Sequence, residues 1–326
     1  LIAAATGAVI DTATFPTTKS GNARAVSWIV RRTSGSVLAA VEGTASYGAG
    51  ITAALGEAGF DVAEVRPAAR STHAHHGKSD ALDAEAAARA VLGREFDRLA
   101  KPRQAGHRAA LRVLLASRSI LDQQRTANRN ALLALLRSVD LGIDARKPLT
   151  DAQVRTIASW RTNRSGAHRD PLAIAKREAR RLASSVVEQG ELLKQNHREL
   201  HQLAEALAPG LQDQPGVGPV TAAIIICAYS HHGRVRSEAA FAALGGIAPV
   251  PASSGNKQRH RLSRSGDRQL NRAFDVIVRT RMSYDEATRD YVARRRTEGR
   301  TNREIRRCLK RYVCRAIFRE LQTALA

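Results

Sequence analysis

The chain has 326 residues, 43% of them hydrophobic and 25% charged, a balance that excludes a disordered tail and leaves room for two or three folded domains. Lys and Arg outnumber Asp and Glu by 52 to 30, and the formal charge of +22 rests mainly on arginine, whose planar fork suits phosphate, so a polyanion is the expected partner. Three cysteines (Cys227, Cys308, Cys314) at no metal spacing exclude a disulfide framework, "VTAAIIICAY" is too short to span a bilayer, and no basic segment precedes "LIAAATGAVI", so a cytoplasmic protein without a membrane partner is expected.

The charge divides the chain. Residues 1–95 hold nine Lys/Arg and nine Asp/Glu, whereas the rest holds 43 and 21, which predicts separate tasks for the two parts. In the neutral part, "LIAAA", a Thr6-Gly7 turn and "AVIDTATF" predict a hairpin. Ala25, Val26, Ile29 and Val30 recur at helical spacing between Gly21 and Arg32. "SVLAAV" reads as a buried strand, residues 47–58 as a second helix, and "FDVAEV" as a strand stopped by Pro67. Hairpin, helix, strand, helix, strand is the order of an RNase H-like α/β fold, in which helices cover a mixed sheet.

From Arg103 to Val139 the pattern turns helical, with Leu111, Leu114, Leu115, Leu132, Leu135 and Leu136 on one side. A polar connector around "RTNRSGAHRDP" leads to a second long helix from about Leu172 to Ala208. Its Leu182, Val186, Gln189, Leu193, Asn196, Leu200, Leu203 and Leu207 alternate by four and three, a heptad seam with two polar interruptions. That seam suits a helical hairpin folded on itself or a coiled coil between subunits.

After Pro209, "QPGVGPVTAA" sets Gly216 and Gly218 around one valine ahead of a helix. Glycines there let backbone N–H groups approach a phosphate, as in helix-hairpin-helix DNA-binding modules, although a plain helix corner needs the same turn. The third glycine of a dinucleotide fingerprint is missing. Next, "LGGIAPVPASSGNKQRHRLSRSGDRQLNRAF" brings Lys257, Arg259, Arg261, Arg264 and Arg268 onto a loop that opens a helix near Asp267. These side chains and the two glycines are the candidate nucleic-acid contacts.

Glu42 ends the strand "SVLAAV", and "GKSDALDAEAAARAV" places Asp80 and Asp83 at i, i+3 on one side of the following helix. Carboxylates at a strand end and on a facing helix are the hard oxygen ligands with which divalent ions activate a nucleophile and stabilise the leaving oxygen of a phosphodiester. The three acids therefore form a candidate Mg²⁺ or Mn²⁺ site. Each alone has an ordinary reading, Asp80 as a helix N-cap and Asp83 as first-turn charge. Glu85 points elsewhere on the helix. His73, His75 and His76 find no further histidine or cysteine to complete a zinc set and suit a loop approaching phosphate.

In this order, "VEGTASYGAG", "GKSDALDAEAAARAV", "QPGVGPVTAA" and "APVPASSGNKQRHRLSRSGDRQLNRAF" resemble the DEDD-type insertion-sequence transposases related to the Piv and MooV DNA invertases, along nearly the whole chain. The resemblance implies a RuvC-like domain over residues 1–98, a helical coiled-coil insertion over 99–208 and a basic, mainly helical transposase domain over 209–326. It also implies a homo-oligomer, dimer or tetramer, assembled on element-end and target DNA with a guide RNA encoded by the element, and associated with the nucleoid when bound. Glu42, Asp80 and Asp83 match the second, third and fourth of the family's four acids. The first, an Asp on the opening strand, would precede "LIAAA"; Asp11, after the turn, is a poor substitute, so the natural protein is expected to begin earlier.

The family's serine falls on "ASSG", where Ser254, directly before Gly255, is the expected nucleophile and Ser253 its alternative. Lys257, Arg259 and Arg261 would stabilise the transition-state charge. The resemblance thus implies a metal-dependent recombinase that cuts and rejoins DNA strands through a phosphoserine. A RuvC-like structure-selective endonuclease and a non-catalytic DNA- or RNA-binding architectural protein are the alternatives.

Overall fold

The computed structural model describes residues 1–44, 46–65, 79–103, 106–161, 170–251, 260–261, 263 and 266–325. The chain forms two compact units, residues 1–104 and 105–326.

The first unit opens with a short hairpin. Gly7, at φ +70°, makes its turn and Ile2 bridges Val9, with the Ala3 N–H donating to the Ala8 carbonyl at 2.9 Å. Thr18 caps α1 (Lys19–Val30), its hydroxyl accepting the Gly21 N–H at 3.1 Å. β1 (Leu38–Glu42) and β2 (Asp61–Val65) run parallel, with Leu38 opposite Asp61 and Glu42 opposite Val65. Parallel neighbours need a crossover, and α2 (Ala49–Glu57) supplies it. Leu38 and Ala40 of β1 pack with Ala63 and Val65 of β2 against Val91, Phe96 and Leu99, and α3 (Asp80–Arg89) lies on β1. Among the described residues the mixed sheet expected from the element order is two parallel strands, and the opening hairpin is not hydrogen-bonded to them.

The second unit is built on α4 (His107–Ser138) and α6 (Pro171–Leu207), which run antiparallel along one another with α5 (Asp151–Ala158) against α6. The two long helices share two apolar stretches and a polar waist. At one end Leu132 and Leu136 of α4 pack with Leu182 and Val186 of α6 and with Val154 and Ile157 of α5. At the other, Leu111 of α4 meets Leu200 and Ala204 of α6. Between them the Asn196 amide donates to the Leu114 carbonyl at 2.9 Å, Arg118 reaches Asn196 at 3.4 Å, and Asn128 donates to Gln189 at 3.2 Å. The two polar interruptions of the seam thus find partners on α4 of the same chain.

The second apolar stretch continues into one core with α7 (Pro219–Tyr229), α8 (Glu238–Leu244), α9 (Arg268–Tyr284), α10 (Glu286–Thr297) and α11 (Asn302–Ala324). Tyr229, Phe241, Phe274 and Phe318 meet there at centroid distances of 5.9 to 6.0 Å, each such ring contributing roughly 1.5–3 kcal/mol by leaving water. Between α8 and α9, β3 (Val250–Pro251) and β4 (His260–Arg261) pair antiparallel. Among the described residues no helix is long and apolar enough to cross a membrane.

Candidate functional site

Glu42 ends β1 in an abrupt turn. Gly43 takes φ +63°, and the Ser46 and Gly48 N–H groups both donate to its carbonyl, at 2.8 and 3.1 Å. A side chain at Gly48 would put its Cβ 2.4 Å from the Glu42 carbonyl oxygen, so glycine is required where the chain folds back on the strand end. The turn leaves Glu42 exposed and presents Tyr47 almost entirely to solvent, 95% exposed. Side chains alternate along a strand, so Glu42 shares the face of Leu38 and Ala40, the face packed against Val91 and Leu99.

The paired acids arrive on α3, which packs on the same strand. Ser79, not Asp80, is the N-cap: its hydroxyl accepts the Leu82 N–H at 3.3 Å. Asp80 is thereby released from capping and sits exposed at the first helical position, with Asp83 half-buried one turn on. Glu85 pairs with Arg89 at 2.8 Å. The structure brings Asp80 and Asp83 onto one helix turn over the strand that ends in Glu42. Among the described residues, however, no three His, Cys, Asp or Glu side chains lie close enough together to hold a metal ion. The donor chemistry fits Mg²⁺ in kind, since that ion is commonly held by one or two carboxylates and keeps several waters. His73, His75 and His76 lie outside the described residues.

Of the basic-part candidates, Ser253, Ser254, Lys257, Arg259 and Arg264 lie outside the described residues. In the β3–β4 pair Arg261 stands opposite Val250. Gly266, at φ +108°, approaches Gly246 so closely that a Cβ would lie 2.6 Å from its nitrogen. Asp267 then caps α9, accepting the Gln269 and Leu270 N–H groups at 2.9 and 3.0 Å, and Arg268 is exposed at the helix start. Asn271 ties this start to the end of α8, donating to the Gly245 carbonyl at 2.7 Å and accepting from Lys310 at 3.1 Å.

Gly216 and Gly218 have different surroundings. Gly216, at φ +77°, faces α9, where a Cβ would meet the Ile277 carbonyl at 2.9 Å, and Arg281 clamps the same turn by donating to the Pro215 carbonyl at 2.6 Å. Gly218 has nothing within 4 Å of where its Cβ would be, and its N–H is accepted by the Thr221 hydroxyl at 3.0 Å. Close helix packing therefore accounts for the first glycine, and the open side of the turn belongs to the second.

Acids of the second unit brace its helices. Glu238 on α8 accepts from Arg311 and Arg315 of α11 at 2.6 and 2.8 Å, and Asp275 on α9 pairs with Lys310 at 2.9 Å. The Arg315 hydrogen bond, with that of Arg311, holds the Glu238 carboxyl below its ordinary range. Burial pushes Asp275 upward, but the Lys310 bond and neighbouring arginines outweigh it and leave it lowered. With these carboxylates ionised and engaged inside the fold, Arg268, Arg294, Arg303 and Arg307 remain exposed and give the surface a positive field. Sequence reasoning missed the pairing of Tyr291 with Tyr312 on this surface, since nothing in a spacing of 21 residues relates positions on two different helices.

Two family profiles match the chain. Residues 1–140 match the DEDD transposase domain of IS110 elements, and residues 208–293 match the transposase family IS116/IS110/IS902. The chain is 34% identical over 124 residues to a 43.6 kDa protein of insertion element IS110 from Streptomyces coelicolor, covering 37% of this chain and 31% of that protein. It is 30% identical over 219 residues to the y4pF/y4sB protein of Sinorhizobium fredii, covering 66% and 54%. A 44.8 kDa protein of insertion element IS116 from Streptomyces clavuligerus is 27% identical over 265 residues, covering 68% and 66%. The chain thus spans between about a third and two thirds of the lengths of these relatives. With one profile over residues 1–140 and the other over residues 208–293, the chain belongs to the IS110/IS116 family of insertion-sequence transposases.

Proposed function

We propose that this chain cuts and rejoins DNA strands for an insertion sequence, with carboxylates in the first unit and a serine in the second dividing the chemistry. The observation that supports this most is that Glu42 ends the strand on which α3, bearing Asp80 and Asp83, is packed. Asp80 and Asp83 would hold Mg²⁺ or Mn²⁺, with Glu42 closing in when DNA is bound. A divalent ion there supplies Lewis acidity toward the phosphodiester and relieves the repulsion among the acids.

Ser254 attacks the phosphorus: its Oγ–P bond forms as the bond to the leaving strand's hydroxyl oxygen breaks. The serine proton passes to a nearby base and the leaving oxygen is protonated. In rejoining, a new strand's hydroxyl displaces Ser254 and returns it to the free alcohol. Lys257, Arg259 and Arg261 stabilise the charge that gathers on the phosphate oxygens, and Arg264, Arg268 and the open side of the Gly218 turn hold the flanking backbone. A guide RNA made by the element selects the DNA, and a dimer or tetramer brings serine and acids together.

The test incubates full-length protein with element-end DNA, flanking RNA and Mg²⁺ and resolves the products on a denaturing gel. A covalent protein–DNA adduct that disappears in Ser254→Ala and persists in Ser253→Ala is the expected result. Cleavage without any adduct would identify a structure-selective nuclease acting by metal alone, and binding without cleavage an architectural protein.

A further inference from the structure

Aromatic residues are scarce in this chain, 4% of the total, and it has five tyrosines. Tyr229 is buried in the core, whereas Tyr312 on α11 is 55% exposed and Tyr291 on α10 is half-buried beside it. The two rings meet edge to face at 5.9 Å and 81°. The guanidinium groups of Arg294 and Arg295 lie 5.6 and 6.0 Å from the centre of the Tyr291 ring. Glu298 pairs with Arg295, and Arg315, one turn from Tyr312, is held by Glu238. The result is a half-exposed aromatic ring on a basic surface, held edge to face against a second ring that two arginines flank.

We propose that Tyr312 is a stacking site for an unpaired base of single-stranded nucleic acid, with Arg294 and Arg315 engaging the phosphates on either side. This rests on the reading that the second unit binds nucleic acid, and it names the strand form that this surface takes. A base inside a duplex already has both faces covered by its neighbours, so an exposed ring offers it nothing. An unpaired base has a free face, and that face stacks on tyrosine whichever base it is. The edge-to-face contact with Tyr291 fixes the Tyr312 ring before the base arrives, which reduces the entropy lost on binding. Charge complementarity selects a polyanionic strand over an apolar peptide, since Arg294 and Arg295 border the neighbouring Tyr291 ring and Arg315 lies one turn from Tyr312 on α11.

The experiment uses the full chain and one oligonucleotide sequence prepared as single-stranded RNA, single-stranded DNA and DNA duplex, each single strand carrying 2-aminopurine as a fluorescent stacking reporter. Tyr312→Ala is expected to weaken both single-stranded complexes by about five- to a hundredfold, to abolish the quenching of 2-aminopurine, and to leave the duplex constant unchanged. Tyr312→Phe keeps the ring and should retain affinity, quenching and the melting curve, whereas Tyr312→Ala loses the edge-to-face contact and should lower the melting curve only slightly, the ring being 55% exposed. Loss with only one of the two single strands would support the site and tell which sugar it accepts. Unchanged single-strand affinity in Tyr312→Ala, equal loss in Tyr312→Phe, or equal loss on duplex would each overturn the proposal. Wild-type protein that binds none of the three would instead overturn the underlying reading of the basic unit.

Discussion

Gly216 and Gly218 stand two residues apart in one turn and answer to different demands. An alanine at Gly216 must adopt φ +77° and push a methyl group to 2.9 Å from the Ile277 carbonyl, so Gly216→Ala should cost about 1–3 kcal/mol in urea unfolding. Gly218→Ala meets nothing and should leave stability within about 0.5 kcal/mol, while weakening DNA binding if the open turn receives a phosphate. An equal loss of stability in both would refute this division. The Gly-x-Gly pattern was legible as a turn, but which glycine served packing was not, because Ile277 of α9 arrives from 61 residues downstream. The acids behave similarly. Glu42 and the Asp80–Asp83 spacing could be read from the chain, whereas the release of Asp80 from capping by Ser79 depends on where α3 begins. Glu42→Gln, Asp80→Asn and Asp83→Asn should each abolish strand cleavage in the gel assay and barely change the melting temperature, since none of the three side chains is buried. A melting temperature that falls with activity would make their role structural.

At the scale of elements, periodicity disclosed the buried face of α6 but not what covers it. Leu182, Val186, Leu193 and Leu200 repeat whether the partner is α4 or another subunit; the decision lies in Asn196, whose amide is satisfied by the Leu114 carbonyl of the same chain. Removing it leaves the Arg118 contact unmade, so Asn196→Ala should lower stability by about 1–3 kcal/mol, and a protein-concentration-dependent midpoint in that variant would point to a subunit contact instead. The β3–β4 pair went unread because two-residue strands carry no period. Glu238 links α8 to α11 through two arginines, and its carboxyl is held below its ordinary range. A depressed carboxyl contributes stability above the pKa it would have unfolded, and that contribution is lost as pH falls through the folded value. Melting temperature recorded between about pH 7 and about pH 3 should therefore fall less steeply with acid in Glu238→Gln than in the wild type. Parallel curves would show that the ion pairs contribute nothing.

For the whole molecule, charge is the property most plainly written in the chain. Residues 1–95 are balanced and the remainder carries the entire +22, so residues 105–326 should hold most of the nucleic-acid affinity, with a binding constant that falls linearly in log salt as counterions are released. Equal binding by residues 1–104, or a constant indifferent to salt, would contradict that. The long hairpin gives this second unit a mechanical character as well. At 1.5 Å per residue α4 is about 48 Å long, with each end seated in a packed core and a polar waist midway. A rod of that kind resists bending, because curvature stretches its backbone hydrogen bonds. Tilted by about 5° about the waist, its two ends would travel about 2 Å in opposite directions. A pull exerted at α5, which packs on α6, would then reach the far end of the hairpin, where α4 and α6 pack on α7, as movement rather than as bending.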